Sequence, residues 1–325
     1  MKNRINHDHH ADGIDRRGFL SCMAWVGTGV LYTVRGGILS SRIVRGQEGR
    51  GMQKAGMKAG GADFTFAQIS DTHIGFSKEA NKDVTATLQV AIELINAIPE
   101  PPDFIIHTGD LSHLSKPSEF DTLDQALKGL RANQIFFVPG EHDVMTDDGA
   151  SFLDRYGKQT KGEGWYSFDH KGVRFIGLVN VLNFKPGGLG MLGHDQLEWL
   201  EDNLAGLQSS TPIVVFAHIP LWTIYPEWGW GTEDSAQALA YLKRFGSVTV
   251  LNGHIHQTMQ KVEGNVTFHT AMSTAFPQPQ PGTAGSPGPM KVPSEELRNL
   301  LGLTSVNYVQ GNRALAVIDS TLSGS

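Results

Sequence analysis

The chain is predicted to fold as a layered α/β domain, because three features of the sequence agree on this class. Runs of β-branched and apolar residues of strand length recur along it, and amphipathic segments of helix length separate the first of them. The order strand, helix, strand, helix, strand is typical of a sheet with helices on its outer faces. With 325 residues, 40% of them hydrophobic, the chain can also bury a sizeable core.

The first half of the domain supplies the alternating pattern. Strands are predicted at 64–70, 104–108 and 135–139. Between them, residues 82–98 carry apolar side chains at helical spacing and stop before Pro99, and residues 118–132 repeat the spacing after Pro117. These five elements make up the β-α-β-α-β order.

The second half begins with shorter elements. The pattern predicts a meander of short strands at 165–181, a helix at 194–204, and strands at 213–217, 248–252, 266–270 and 314–319. A tract rich in proline and glycine at 277–289 is predicted to be a surface loop, because such a composition does not form regular structure.

The amino terminus is predicted to be a targeting segment outside the domain. Residues 15–20 form a twin-arginine motif, which an uncharged stretch follows as far as Val34. We therefore expect a twin-arginine signal segment at 1–45, a flexible linker at 46–62 and a folded domain at 63–325. Such a signal implies that the twin-arginine machinery exports the folded protein to a bacterial periplasm. The alternative is an uncleaved membrane anchor, although the uncharged stretch is short for a spanning helix.

Charge and cysteine content restrict the class of partner and the class of metal ligand. The only cysteine, Cys22, lies in the predicted signal segment, so the domain contains neither a disulfide nor a thiolate ligand. Without residues 1–45 the chain carries 20 Lys/Arg against 30 Asp/Glu. An acidic domain with no basic tract argues against a groove for long nucleic acids. No feature of the sequence indicates an oligomeric state.

Five short motifs, each following a predicted strand, contain residue types that bind metal ions. They are Asp71-Thr72-His73, Gly109-Asp110, Gly140-Glu141-His142-Asp143, Ala217-His218 and Gly253-His254-Ile255-His256. Ligands of open α/β sheets bind at the carboxyl ends of strands. Converging oxygen and nitrogen donors suit hard to borderline divalent metals. Any one motif alone is better explained as a capped turn or a core histidine, but five in this order indicate a two-metal site.

The order of these motifs resembles that of the calcineurin-like metallophosphoesterases, a family that includes purple acid phosphatases and cyclic-nucleotide phosphodiesterases. The resemblance covers roughly residues 63–319. It is strongest at 67–75, 107–111 and 252–256. It implies that residues 63–325 form a catalytic domain with a four-layer αββα sandwich, mixed sheets, and a metal site at the carboxyl ends of strands. One position departs from the pattern, because Glu141 stands where the family has asparagine.

The resemblance also implies roles for individual residues around two divalent metal ions, which we expect to be Fe, Mn or Zn. The first metal would be bound by Asp71, His73, Asp110 and His256. The second would be bound by Asp110, Glu141, His218 and His254. Asp110 would bridge the two. A hydroxide between the metals would attack phosphorus in line. His142 would assist the leaving group while Asp143 orients its ring.

Two of these assignments have structural alternatives. Glu141 as a ligand would bind metal more tightly than asparagine but would lower the Lewis acidity and repel a phosphate dianion; otherwise it swings away and leaves the second site weak. We favour ligation. His142 has the alternatives of a further metal ligand or a structural hydrogen bond. The neighbouring His107 and His113 are expected to pack behind the site rather than touch substrate.

An aromatic segment, Leu221–Trp230, directly follows His218-Ile219-Pro220. It forms either a wall for an aryl or nucleobase group or a lid over the core. The function predicted is a metal-dependent hydrolase of phosphate esters acting on a small substrate, with phosphodiesters favoured because their single negative charge tolerates Glu141. The alternatives are a noncatalytic metal- or phosphate-binding protein that retains the fold, a phosphomonoesterase, and a phosphoprotein phosphatase.

Overall fold

The computed structural model describes residues 63–132, 134–182, 187–310 and 315–324, together with the backbone of two strands near the amino terminus. Those strands, β1 (Gly29–Arg35) and β2 (Ile38–Val44), pair antiparallel. They belong to a compact unit that ends at Ala59, and the domain is a second unit. The twin-arginine motif and the predicted linker at 46–62 lie outside the described residues. No helix within the described ranges is long and apolar enough to cross a membrane.

The domain alternates strands and helices in its first half, as predicted. In chain order its elements are β3 (Phe64–Ile69), α1 (Val84–Asn96), β4 (Phe104–His107), α2 (Pro117–Leu127), β5 (Ile135–Phe137), α3 (Ala150–Tyr156), β6 (Tyr166–His170), β7 (Val173–Gly177), α4 (His194–Ala205), β8 (Ile213–Phe216), α5 (Ser235–Leu242), β9 (Val248–Asn252), β10 (Gln260–Glu263), β11 (Val266–Thr270), β12 (Gly302–Tyr308) and β13 (Ala316–Thr321).

These strands form two mixed sheets. One has the order β13-β12-β3-β4-β5, and the other has the order β10-β11-β9-β8-β7-β6. Strands β3, β4 and β5 run parallel in the first sheet, and β7, β8, β9 and β11 run parallel in the second. The remaining pairs are antiparallel.

The two sheets face each other, and helices cover their outer faces. A central cluster joins Phe66 and Phe104 of the first sheet to Phe175 and Phe216 of the second. A second cluster packs α1, α2 and α3 on the first sheet, and a third packs α4 and α5 on the second. The predicted four-layer αββα sandwich is therefore confirmed.

Helix α1 illustrates how local sequence sets the elements that flank the site. The side chain of Asp83 accepts a hydrogen bond from the amide of Ala86 and caps the first turn. Leu88, Ala91 and Ile92 then recur on one face and are buried against the first sheet. The helix ends at Asn96, three residues before Pro99.

Candidate metal centre

The five motifs occupy the carboxyl ends of five strands, as predicted. They follow β3, β4, β5, β8 and β9 directly. Within each sheet these strands are parallel, so their carboxyl ends lie at one edge. The two edges meet, and the structure brings together all seven residues predicted as ligands, with His142 beside them.

Two groups of donors can be distinguished at this edge. In the first, Nε2 of His256 lies 3.3 Å from Oδ1 of Asp71 and 3.2 Å from Nε2 of His73. In the second, Oε2 of Glu141 lies 2.8 Å from Nε2 of His218, and its Oε1 lies 2.9 Å from Nδ1 of His254. The donors within each group are close enough to share one ion. The groups correspond to the two ligand sets implied by the family resemblance.

Asp110 lies between the two groups. Its Oδ2 is 3.4 Å from Nε2 of His73 and 3.5 Å from Nε2 of His218. Its other oxygen accepts a hydrogen bond of 2.9 Å from the amide of His142, which fixes the carboxylate plane. This placement fits a carboxylate that bridges two cations.

The backbone of these residues is unusual. Asp71, His73, Asp110, His254 and His256 all have positive φ, with values of 54°, 41°, 53°, 70° and 53°. The left-handed region is unfavourable for residues with a β-carbon, by roughly 1–2 kcal/mol each. Such conformations collect at functional sites, where the surrounding fold enforces them. Here they end each strand abruptly and turn successive donors toward one centre.

Glycine is required beside the ligands because there is no room for a side chain. A β-carbon on Gly140 would collide with the carboxylate of Asp110, and one on Gly253 would collide with Ser70 and the carboxylate of Asp71. The glycines of the motifs therefore allow strand-end loops to approach closely, within the first sheet at Gly140 and between the two sheets at Gly253.

The hydrogen bonds of the histidines fit metal ligation. Nδ1 of His218 donates to the carbonyl of Thr108 at 2.7 Å, and Nδ1 of His256 donates to the carbonyl of Phe276 at 2.6 Å. Each bond fixes the tautomer that leaves Nε2 free as a ligand, an arrangement usual for metal-binding histidines.

Unsatisfied atoms and electrostatics give a second test of the fit. Oε2 of Glu141, Nε2 of His218 and both ring nitrogens of His254 are buried and have no hydrogen-bond partner within the described part of the chain, although they face one another. Burial alone would lower the pKa of His218, but the carboxylates of Asp110 and Glu141 outweigh it and raise that pKa well above its ordinary value. The pocket thus stabilises positive charge at this point, and the donor set fits two divalent cations.

His142 and Asp143 lie where the motif places them, but their predicted relation is wrong. Nδ1 of His142 donates to the carbonyl of His113 at 2.7 Å, not to Asp143. The Asp143 carboxylate instead accepts the amides of Leu111, Ser112 and Gly140. Residues 141–143 form a 3₁₀ turn, in which successive side chains point about 120° apart. Asp143 therefore secures the loop that carries Asp110, and the carbonyl of His113 orients the His142 ring.

The ring of His113 contributes more than the sequence suggested. It stacks on His142 with 4.8 Å between centroids and an interplanar angle of 17°. Its Nδ1 lies 3.4 Å from Nδ1 of His73, and its ring lines the cleft above the metal residues. Glu119 holds this loop by accepting the amides of His113 and Leu114. Glu119 is the third residue of α2, and it is buried in the structure. An acidic residue in the first helical turn was the only sign of this contact in the sequence.

Two further buried histidines, His107 and His269, have structural partners. His107 is fully buried, accepts the amide of Gly109 and contacts Thr72. Burial lowers its pKa to about 3, so it is neutral. His269 is also buried and contacts Asp319 at 3.0 Å, linking the two sheets.

A cleft of about 280 Å³ opens over the predicted metal ligands. Its walls come from the strand-end loops that carry these ligands, from the aromatic segment and from the proline-rich tract, which is a loop as predicted. The aromatic segment divides between the two roles considered for it. Trp228 and Trp230 line the cleft, whereas Trp222 packs on Phe268 of β11 with 5.0 Å between ring centroids.

This arrangement, two groups of nitrogen and carboxylate donors with one aspartate between them at the edge of an αββα sandwich, is typical of binuclear metal hydrolases. The family model of the calcineurin-like phosphoesterases matches residues 64–258. The chain therefore belongs to the calcineurin-like phosphoesterase family, whose members hydrolyse phosphate esters, and it is a metallophosphoesterase.

Several characterised proteins are similar to the chain. A serine/threonine-protein phosphatase, CPPED1, from Danio rerio is 27% identical over 64% of this chain and 75% of its own length. A 3′,5′-cyclic-nucleotide phosphodiesterase from Nostoc is 26% identical over 65% and 79%. A glycerophosphodiester phosphodiesterase, GpdQ, from Enterobacter lignolyticus is 27% identical over 66% and 78%.

Solved structures support the same fold. A dimetal phosphatase from Danio rerio superposes with a TM-score of 0.57 at 14% identity, over 81% of this chain and 99% of that one. A purple acid phosphatase from yellow lupin has a TM-score of 0.60 at 14% identity, over 82% of this chain and 53% of the other. At this identity the likeness concerns the fold alone.

Proposed function

We propose that this protein is a binuclear metal-dependent hydrolase of small phosphodiesters. The observation that carries the proposal is the pair of donor groups joined by Asp110, with the carboxylate of Glu141 inside the second group. The first metal would be held by Asp71, His73, Asp110 and His256. The second would be held by Asp110, Glu141, His218 and His254.

When bound, two such cations supply Lewis acidity that generates a nucleophile from water and polarises the phosphoryl group. The chain itself positions the reacting groups. His142 lines the cleft, and its Nδ1 proton is committed to the carbonyl of His113, so Nε2 is the atom available to the leaving oxygen. In the metal-free protein burial would lower the pKa of His142, but Asp110 and Glu141 outweigh it and raise that pKa. When protonated, Nε2 would donate to the departing alkoxide.

Charge favours a diester over a monoester. Asp71, Asp110 and Glu141 place three carboxylates around the proposed metals. Burial opposes the ionisation of Glu141, yet His254 and His218 outweigh it and hold the pKa of Glu141 well below its ordinary value, so it is charged. Each carboxylate reduces the net positive charge that attracts phosphate. A monoanionic diester is penalised less than a dianionic monoester.

The relatives are consistent with this class but divide on the substrate. The Nostoc and Enterobacter proteins are named as phosphodiesterases, and the Danio rerio protein is named as a phosphatase. A phosphomonoesterase or phosphoprotein phosphatase is therefore the second candidate. A noncatalytic binding protein is disfavoured because His142 is present and lines the cleft.

An activity panel on metal-reconstituted protein tests the proposal. Purified protein is loaded with Fe, Mn or Zn, and kcat/KM is measured for bis(p-nitrophenyl) phosphate, p-nitrophenyl phosphate and a cyclic nucleotide. We expect the diesters to be preferred and activity to disappear with a chelator. A preference for the monoester would favour the second candidate, and no hydrolysis with any metal would favour the noncatalytic alternative.

We further propose that the protein is exported by the twin-arginine route after folding and acts in the periplasm. The support is the Arg16-Arg17 motif and its uncharged following stretch. Changing both arginines to lysine should retain the protein in the cytoplasm without altering the activity of the purified domain. Export of the lysine variant would refute this route. Recovery of the exported wild-type protein in the membrane fraction would indicate the uncleaved anchor.

A further inference from the structure

Among the described residues, one phenylalanine or tryptophan ring in the cleft over the predicted metal ligands is available to a ligand. Four such side chains of the described ranges line the cleft, namely Phe76, Phe276, Trp228 and Trp230. Phe76, Phe276 and Trp230 are at most 5% exposed, so their rings are already covered. Trp228 is half-buried and presents ring surface to the cleft. It is therefore the side chain on which a flat group can stack.

Trp228 is also held in place before any ligand arrives. Its ring packs edge-to-face on Tyr225 and on Trp230, with 5.1 Å between centroids in each case. The next residue, Gly229, lies so close to the carbonyl of Gly188 that a β-carbon would collide with it. A ring fixed in this way loses little conformational entropy on binding.

Gln278 also lines this cleft and carries a buried polar atom. The amide nitrogen of Gln278 donates to the carbonyl of His254 at 3.1 Å, which determines the orientation of its amide group. Its Oε1 is buried and has no hydrogen-bond partner among the described residues. Because a buried acceptor without a donor is costly, a ligand group that carries an N–H or O–H would be favoured there.

We propose that the cleft selects phosphodiesters in which one alcohol carries a flat ring with a hydrogen-bond donor at its edge. The ring stacks on Trp228 and the donor meets Oε1 of Gln278. This inference rests on the proposed function, because it names the substrate class of the same site. It separates this chain from a phosphodiesterase for wholly aliphatic esters.

The test compares two diesters whose scissile bonds are alike. Thymidine 5′-(methyl phosphate) and glycerol 3-(methyl phosphate) are both phosphodiesters of methanol and a primary alcohol, but only the first carries a flat ring with an N–H. Their hydrolysis is followed by phosphorus NMR. We expect Trp228→Leu to lower kcat/KM for the thymidine ester by about 5- to 30-fold, the loss typical of one stacked base. The glycerol ester should be unaffected, and Trp228→Phe should restore part of the loss.

Trp222→Leu is the matched control, because Trp222 is equally half-buried in the same segment but packs on Phe268 outside the cleft. This substitution should leave kcat/KM unchanged for both esters. Gln278→Met should weaken the thymidine ester more than the glycerol ester, because loss of the hydrogen bond to the His254 carbonyl affects both substrates alike. Equal losses for both esters in Trp228→Leu, or the same discrimination in Trp222→Leu, would overturn the proposal.

A binding measurement separates this inference from the proposed function. The affinities of thymidine 5′-phosphate and glycerol 3-phosphate are measured by calorimetry on the metal-loaded protein and its variants. If the wild-type protein hydrolyses neither diester, the proposed function fails. The stacking inference then stands if Trp228→Leu weakens only the thymidine ligand, and it falls if both ligands bind all variants equally.

Discussion

Replacing Glu141 tests the position at which this chain departs from its family. Glu141→Gln keeps the length of the side chain and removes its charge, whereas Glu141→Asn introduces the family residue. In the structure both carboxylate oxygens face ring nitrogens of the same donor group, at 2.8 Å from Nε2 of His218 and 2.9 Å from Nδ1 of His254. A metal held here would therefore lose an anionic ligand in either variant, and the substrate would lose a negative neighbour.

The size of the effect follows from charge and distance. A phosphoryl oxygen on a metal that Glu141 also binds would lie no more than about 4 Å from the carboxylate oxygen, since each bond would be about 2 Å long. One additional unit charge at that distance costs about 4 kcal/mol at an effective dielectric constant near 20. The Glu141 side chain is 16% exposed, so solvent screens part of this. We expect the monoester-to-diester ratio of kcat/KM to rise by about 10- to 100-fold, or about 1.4–2.8 kcal/mol.

The assay uses p-nitrophenyl phosphate and bis(p-nitrophenyl) phosphate at saturating metal, so that both substrates release the same leaving group. Metal content is titrated against a chelator in parallel, and we expect the second equivalent to be lost more readily from both variants. Glu201→Gln, on the exposed face of α4, is the control for loss of a charge elsewhere. An unchanged ratio together with unchanged metal retention would refute the reasoning, because Glu141 would then point away from the metals.

Three further substitutions separate the roles of residues around the centre. Asp110→Asn should lower bound metal and turnover together, because one carboxylate oxygen faces both donor groups; two retained equivalents with normal activity would contradict the bridge. His142→Ala should leave metal content near normal while kcat falls by about 10²–10⁴, the range for a positioned acid or base, and loss of metal would make it a ligand. His107→Asn tests pH dependence. Burial lowers the pKa of His107 to about 3, so the unfolded chain binds the proton more readily, and the stability from neutral His107 is present above pH 6.5 and lost as the pH falls toward 3. Between pH 7 and pH 5 the wild-type protein should lose about 2 kcal/mol more unfolding free energy in urea than the variant; parallel curves would contradict it.

The sequence predicted the elements whose burial leaves a simple pattern. Strands such as β8 pair in parallel on both sides and are buried along their whole length, so they appear as continuous apolar runs. Strand β12 was missed although it lies inside its sheet. Its Thr304 is fully buried because its hydroxyl donates a hydrogen bond to the carboxylate of Asp319 on the adjacent strand. The hydrophobic pattern of the sequence does not predict burial of a threonine. Strand β10 was missed for the opposite reason: all four of its residues are exposed.

At the site, the sequence identified which residues converge but not how they are oriented. Adjacency in the chain suggested that Asp143 orients His142, yet the 3₁₀ turn directs the two side chains apart. The group that does orient His142 is a backbone carbonyl, that of His113, and a carbonyl has no signature in the letters of a sequence. The loop that carries His113 is likewise held by a residue that is not its neighbour in the chain: the carboxylate of Glu119 accepts the amide of His113.

The repeated glycine-plus-ligand motifs can now be explained from the backbone. Asp71, Asp110 and His254 each adopt a left-handed conformation, and the loops that carry them bond to one another, as the amide of Asp71 does to the carbonyl of Gly109 at 3.0 Å. The amide of His254 in turn donates to the carboxylate of Asp71 at 3.1 Å. The unfavourable conformations are thus enforced by contacts between strand ends of the two sheets, and glycines leave room for those contacts. The centre is therefore assembled by the packing of the sandwich itself, and its donors are held in position before they bind a cation.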